Sequence, residues 1–524
     1  MNIYKKILQY NLPRLYALYD LDSQSSTYGY GDRLYWGWKI SDFSNGTFQG
    51  GVHAIAIAIK LNIAGNESFA LKVVDAAISS ISMIRRKNGS LEEAFPNENS
   101  FCVTALVAFD VIAAIEHLQD RISSSRKLFY LETIEPLIRF IIENEESHAF
   151  ISNHLAAAYA ALTLWNKISG AQYNKSEKLL DAILEKQSSE GWYLEYEGAD
   201  PGYQTLAIHY LYAATQCQEN NRLKRSLCKS IEFLRYFCFP DGSIGGLYGS
   251  RNTEVYYPGG IVGLSGLSEK AKEIANILHY GVEQRVHILP QDIDSGNFIP
   301  LINSYAVAAL ELERSPERVD SNVEIGSTSL EWKRRFTHAG LYIHSTERYY
   351  AITNYKKGGT LKVYDRENQC IDLEDGGIFG RLKCGHTFST QHYRSISDFK
   401  EYTVESDFFL TNVSKPSPFK FILLRILSLT LFNSISIGNA FKKAIVRMLM
   451  TGKKQIDGKA KRKFIFHKHR IVVEEKVTPP LGTVQIGHPG KCRSIHMASS
   501  GYFLKQDQTR PTHSRIVEFS DISE

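Results

Sequence analysis

The stretch "THAGLYIHSTERYYAITNYKKGGTLKVYD", residues 337–365, is where the chain changes its period. Apolar and polar residues alternate through it, and Lys-Gly-Gly interrupts them, the pattern of strands joined by a tight reversal. Upstream, from about residue 48 to 315, apolar residues recur at three- and four-residue spacing, which is the helical period. Downstream, "KRKFIFHKHRIVVEEKVTPP" (461–480), "GTVQIGHPG" (482–490) and "RSIHMASSGYFLK" (493–505) alternate again. Helices first and strands second imply an α+β chain whose two kinds of layer form separate domains.

The helical part predicts helices over 49–63, 67–86, 99–118, 125–145, 153–168, 174–188, 203–217, 221–238, 268–280 and 301–313. Their connections are short and carry Gly, Asn, Pro or Asp, as helix breakers should. Successive helices then pair as about five or six antiparallel hairpins, an α/α toroid and not a four-helix bundle. The expected organisation is a capping segment over 1–48, a toroid over 49–325 and an antiparallel β-sandwich over 335–524.

Composition narrows the class. The 524 residues are 43% hydrophobic and 22% charged, an ordinary globular balance. The 29 Tyr and 27 Phe suit either a sugar-binding cleft or an aromatic core. The N-terminus lacks an apolar export core, and the seven Cys have no metal-ligand spacing, which predicts a cytoplasmic protein with reduced thiols. The net charge of +5 is unevenly spread: Lys415–Arg470 holds 14 Lys/Arg against one acid, Asp457. Within it lies an insert, 416–454, whose Lys442, Lys443 and Arg447 alternate with Leu, Ile and Met. Two readings stay open: basic residues solvated on a packed insert, or peripheral contact with an anionic inner membrane. There is no P-loop, GxGxxG, HExxH or GxSxG, so no cofactor or metal is expected, and no nucleic-acid-binding pattern.

Polar clusters gather between helices. "ISNHLAAAYAAL" starts a helix with Asn153 and His154. "GADPGYQTLAIHYL" brings Asp200, Tyr203 and Gln204 to another, where core packing would prefer Leu or Val to Tyr and Gln in the first turn. "FPNENSF" offers Asn97 and Glu98, more than a helix cap needs. "YGDRLYWGWKISDF" sets Arg33, Trp36 and Trp38 together, a sugar platform or a plug for one end of the toroid. "DGSIGGLYGSRNTEVYYPGG" (241–260) carries Tyr248, Arg251, Asn252, Tyr256 and Tyr257 on a glycine-bent backbone. If alternate helices line the toroid, these loops share one rim, where a rigid scaffold can aim them.

On these residues the chain resembles the heparinase II/III-like polysaccharide lyases, and within them a branch found among bacterial surface-polysaccharide genes. The resemblance implies β-elimination at a uronic acid: the carboxylate is neutralised, the C5 proton is removed, and a Tyr protonates the leaving oxygen. Carried over, it assigns Asn153, His154, Tyr203, Tyr248 and Arg251 to catalysis. It assigns Arg33, Trp36, Trp38, Asn97, Glu98, Asp200, Gln204, Asn252, Tyr256 and Tyr257 to the substrate, an acidic polysaccharide or lipid-linked glycan. C5 epimerisation shares the same carbanion. A toroidal hydrolase would need two carboxylates from Glu98, Asp200, Glu195 and Glu254. A non-catalytic glycan- or membrane-binding role is the remaining alternative.

Overall fold

The computed structural model describes residues 1–146, 150–320, 330–393, 399–411, 417–446, 454–489, 508–509 and 514–518. The helical domain comprises α1 (Ile3–Tyr16), α2 (Arg33–Trp36), α3 (Val52–Lys60), α4 (Glu67–Ile84), α5 (Phe101–Leu118), α6 (Ser124–Glu143), α7 (Ser152–Ser169), α8 (Lys175–Lys186), α9 (Pro201–Thr215), α10 (Asn221–Leu234), α11 (Pro258–Leu264), α12 (Glu269–Glu283) and α13 (Ser295–Arg314). Helices α3, α5, α7, α9, α11 and α13 each pack on the next, and α13 packs back on α3, which closes a ring. The other long helices lie outside it.

Sequence decides which helix goes inside. Val52 to Ile59 of α3 are all buried, and so is nearly all of α5. A helix apolar all round gains only if every face is covered. In α10 only a stripe is buried, including Leu223, Leu227, Ile231 and Leu234. Each such side chain contributes about 1.5–3 kcal/mol when fully buried, so inner and outer positions are not interchangeable.

Two of the helices outside the predicted spans are α11 and α1. In α11, "PGGIVGL", glycines dilute the period, yet they allow close packing: a Cβ on Gly260 would lie 2.6 Å from the Ile208 carbonyl oxygen of α9. Polar residues mask α1, which lies beside α13. Lys5 pairs with Glu313 at 3.0 Å, and Arg14 donates to the Pro290 carbonyl at 2.8 Å, so the two ends of the helical domain meet.

Strands β1 (Trp332–Phe336), β2 (Leu341–Ser345), β3 (Tyr349–Asn354), β4 (Thr360–Asp365) and β5 (Cys370–Asp375) form an antiparallel meander. A second sheet has the order β12-β11-β6-β7-β8-β9-β10-β13. Its members are β6 (Phe379–Leu382), β7 (Thr387–Ser389), β8 (Thr403–Leu410), β9 (Gln455–Phe466), β10 (Arg470–Thr478), β11 (Thr483–Pro489), β12 (Gln508–Thr509) and β13 (Ser514–Glu518). The alternation over 337–365 suggested half-buried strands, but β3 and β4 are buried throughout. One face of the meander packs on Phe233, Phe237, Phe239 and Tyr248 of the helical domain, the other on Val404, Phe464, Ile471 and Val473 of the second sheet. The molecule is therefore an α/α toroid, then a sheet, then a sheet. Strand β13 follows 493–505, which lie outside the described residues, as do 416 and 447–453 of the insert, Arg447 included. The rest of the insert forms α14 (Pro418–Thr430) and α15 (Ile435–Val446).

Candidate active site at the toroid rim

The chain enters each inner helix from the outer helix before it, so the loops 85–100, 187–200 and 238–257 and the described residues 150–151 all end at the same rim. Hydrogen bonds stitch them together. Ile151 bridges Glu195, and the Ser250 amide donates to the Ala199 carbonyl at 2.9 Å. The glycine-rich loop is anchored from the β-domain: buried Lys357 donates to the Leu247 and Gly249 carbonyls at 3.0 and 2.5 Å and to the Asn252 side chain. Gly245 is needed where the loop turns, at φ 79° and with Thr253 oxygen 2.1 Å from where a Cβ would sit. Across the rim, the insert docks on the loop before α5. Asn97 Nδ2 donates to the Ser428 carbonyl at 2.6 Å, Lys442 pairs with Glu98 at 2.7 Å, and Phe95 meets Phe432.

Between these anchors lie the groups with chemistry. Asn153 Nδ2 donates to Glu195 Oε2 at 3.0 Å. His154 Nδ1 lies 2.8 Å from Glu146 Oε2. A carboxylate only accepts, so Nδ1 donates to it, which fixes the orientation of the ring. The Arg251 guanidinium sits 4.3 Å from the centroid of Tyr196, a half-buried ring. Tyr196 itself holds φ 57°, a conformation that bulky residues avoid unless the surroundings impose it.

The electrostatics tie these groups into one field. Burial, reinforced by Asp200 and opposed by Arg251 and the Asn153 bond, pushes Glu195 up to about 8. Burial also raises the Tyr196 hydroxyl, with Glu195 and Glu146 adding to it and Arg251 opposing. Tyr203 is raised in the same way, by burial and then Tyr257 and Glu195, against Arg251. Glu93 touches solvent, yet the protein around it and the Glu98 charge push it to about 7, against Lys442.

The sequence-predicted residues divide cleanly. Asn153, His154, Tyr203, Tyr257 and Arg251 share this field. Asn97 and Glu98 lie on the same rim but are taken by the insert. Five others are engaged by the fold itself. Tyr248 is wholly buried in the interdomain core, its hydroxyl accepting from the Gly245 amide at 2.9 Å. Tyr256 is buried against His287. Gln204 Nε2 donates to Ser230 Oγ of α10 at 2.7 Å. Asp200 caps α9 and accepts from the Tyr203 and Arg251 amides at 3.0 and 2.8 Å. Asn252 accepts from Lys357. Arg33 lies over Trp36, whose Nε1 donates to the Leu18 carbonyl at 2.8 Å, and Trp38 stands exposed. Sequence reasoning missed Glu93, Glu146, Tyr196 and the rim role of Lys442. Tyr196 had a signal, an aromatic between two acids in "LEYEGAD"; Lys442 had none, since no local pattern tells which distant loop an insert will reach.

One trio could ligate a cation: Asp375, Glu475 and His488 approach within 4.8 Å of one another in the sandwich. Arg462 already serves it, at 2.5 Å from Asp375 and 2.7 Å from Glu475.

The chain matches no protein-family model and no curated protein. Solved structures do match. A heparinase III superposes with a TM-score of 0.52 at 11% identity, over 91% of this chain and 70% of that one. A Streptomyces coelicolor A3 chondroitin AC lyase in complex with chondroitin sulphate gives 0.56 at 9% identity, over 96% and 70%. A Paenibacillus xanthan lyase gives 0.51 at 11% identity, over 95% and 48%. The chain has the fold of the α/α-toroid polysaccharide lyases. The resemblance read from the loops is thus matched over both domains, the toroid and the β-layers behind it.

Proposed function

We propose that the rim cleft is the active site of a lyase for an acidic, uronic-acid-containing glycan, free or lipid-linked. The observation that carries this reading is the convergence of Arg251, Tyr196 and the His154–Glu146 pair at one rim. The C5 proton of a uronic acid becomes acidic only if the adjoining carboxylate is neutralised. Arg251 supplies that charge, with Asn153 held beside it by Glu195. His154 Nε2 takes the C5 proton. The C5–H electrons form the C4–C5 double bond as the C4–oxygen bond breaks. Tyr196, kept protonated by burial, gives its proton to the leaving glycosidic oxygen. Tyr203 is more deeply buried than Tyr196 and shares its electrostatic field. Epimerisation follows from the same groups if the carbanion is reprotonated on its opposite face.

The four acids of the cleft do not oppose an anionic substrate as strongly as a count suggests. Glu98 is paired with Lys442, Glu146 with His154, and Glu195 is largely protonated near pH 7. The raised Glu93 and Glu195 carboxyls also support a second reading, a hydrolase in which one acts as general acid. Asp200 and Glu254 do not serve it: the first caps a helix and the second pairs with Lys362. The test is ultraviolet absorbance of an unsaturated uronate on incubation with a panel of acidic polysaccharides. His154→Ala and Tyr196→Phe should each slow its appearance by about 10²–10⁴-fold. Cleavage without absorbance, abolished by Glu93→Gln and not by Tyr196→Phe, would replace this reading with the hydrolase.

A further inference from the structure

The insert anchors one side of the rim, but most of its surface faces away from the protein. On α14, Phe419, Ile422, Leu423, Ile426 and Leu429 are 84, 57, 57, 55 and 65% exposed. Their spacing puts all five on one face of the helix. The opposite side holds half-buried Leu424 and the docking groups: Ser428, whose carbonyl accepts from Asn97, and, toward one flank, Arg425, which pairs with Asp42 at 2.6 Å; Phe421 beside them is 50% exposed. The helix is therefore oriented with its apolar face outward, the reverse of a helix packed on a core. Asp42 belongs to a segment that also exposes Trp38 and Ile40, at 67 and 76%.

Charge says what covers this face. Residues 417–446 carry Lys420, Arg425, Lys442 and Lys443 and no acid, inside the wider segment of 14 Lys/Arg and one acid. A second copy would add the same cations to this face and no acid to pair them. An anionic bilayer takes both the apolar stripe and the cations, and α14, 13 residues long, is too short to span one, which needs about 20. We infer that α14 lies flat in the interface of an anionic membrane and holds the rim cleft beside the lipid surface. The same insert reaches Glu98 through Lys442, so the membrane contact and the cleft are joined by one pair of short helices.

The inference is independent of the chemistry in the cleft, and its test uses no glycan. The full chain is floated with phosphatidylcholine vesicles, with and without phosphatidylglycerol. It should float with the anionic vesicles, and added salt should weaken the binding. The double variant Ile422→Asp/Ile426→Asp should lose at least about tenfold in partitioning while melting like the parent, since both positions are exposed. Lys420→Glu/Lys443→Glu should lose the preference for phosphatidylglycerol. The inference is overturned if the parent chain does not float with anionic vesicles, or if the Asp variant floats equally well. It is also overturned if light scattering shows a dimer that the Asp variant splits, which would make a second copy the occupant.

Discussion

Two clusters of buried charge stand in contrast. In the sandwich, Arg462 meets Asp375 and Glu475 at 2.5 and 2.7 Å, and His488 lies 2.8 Å from Glu475. There, burial acts against ionisation and loses: hydrogen bonds from His488 and the charge of Arg462 hold Glu475 below its ordinary range. Burial would lower His488, but the Asp375 and Glu475 carboxylates outweigh it and raise it to about 9. At the rim, the acids outnumber the cations and burial wins, so Glu195 and Glu93 rise to about 8 and 7. A cluster whose charges cancel is a staple of the fold; one whose charges do not cancel is held in place by the scaffold and is a candidate for chemistry.

The largest effects should separate the two. His154→Ala or Tyr196→Phe should cost about 10²–10⁴ in turnover, and Tyr196→Phe, which keeps the ring, should leave the melting temperature within a few degrees. Arg462→Ala should do the converse. It strands two buried carboxylates and should destabilise the chain by about 3–5 kcal/mol in denaturant titration. Equal losses of stability from both kinds of variant would remove the distinction.

The pH dependence provides a smaller and more discriminating effect. A raised carboxyl favours the folded state only while protonated, so Glu195 should withdraw stability as pH climbs from about 4.5 to about 8. Glu195→Gln should flatten that fall and leave the variant more stable than the parent above pH 8, by on the order of 2 kcal/mol. His488, also raised, contributes stability that is complete below about 6.5 and lost through about 9. His488→Asn should therefore lower stability at neutral pH by on the order of 2 kcal/mol and leave less to lose on the alkaline side. Thermal melts across pH 5–10 read both. The smallest effect is expected in titration: Lys442→Ala removes the cation that lowers the Glu93 carboxyl and should raise it further, read in the same melts.

The contrast also explains what the sequence could reveal. The change of period at 337–365 and the ten helical spans come from repeated local patterns, and the toroid and sandwich followed from them. Asn153 and His154 stood out because polar groups at a helix entrance exceed what capping requires, and Arg251 because it sits on a glycine-bent loop; all three lie at the rim. Tyr248, Tyr256 and Gln204 looked alike in sequence but turn into the core, since a loop's composition does not fix which side of it faces the cleft. The insert was ambiguous for the same reason. Its basic and apolar residues were plain, but only the structure turns the stripe from Phe419 to Leu429 outward while Lys442 turns in.

The most direct measurement is product analysis after reaction with an acidic polysaccharide in oxygen-labelled water. The expected product ends in a C4–C5 unsaturated uronate and takes no label at the cleaved bond, and the Tyr196→Phe variant forms it at least about a hundredfold more slowly. Label in the new chain end of a saturated product would contradict elimination and reassign the rim to hydrolysis.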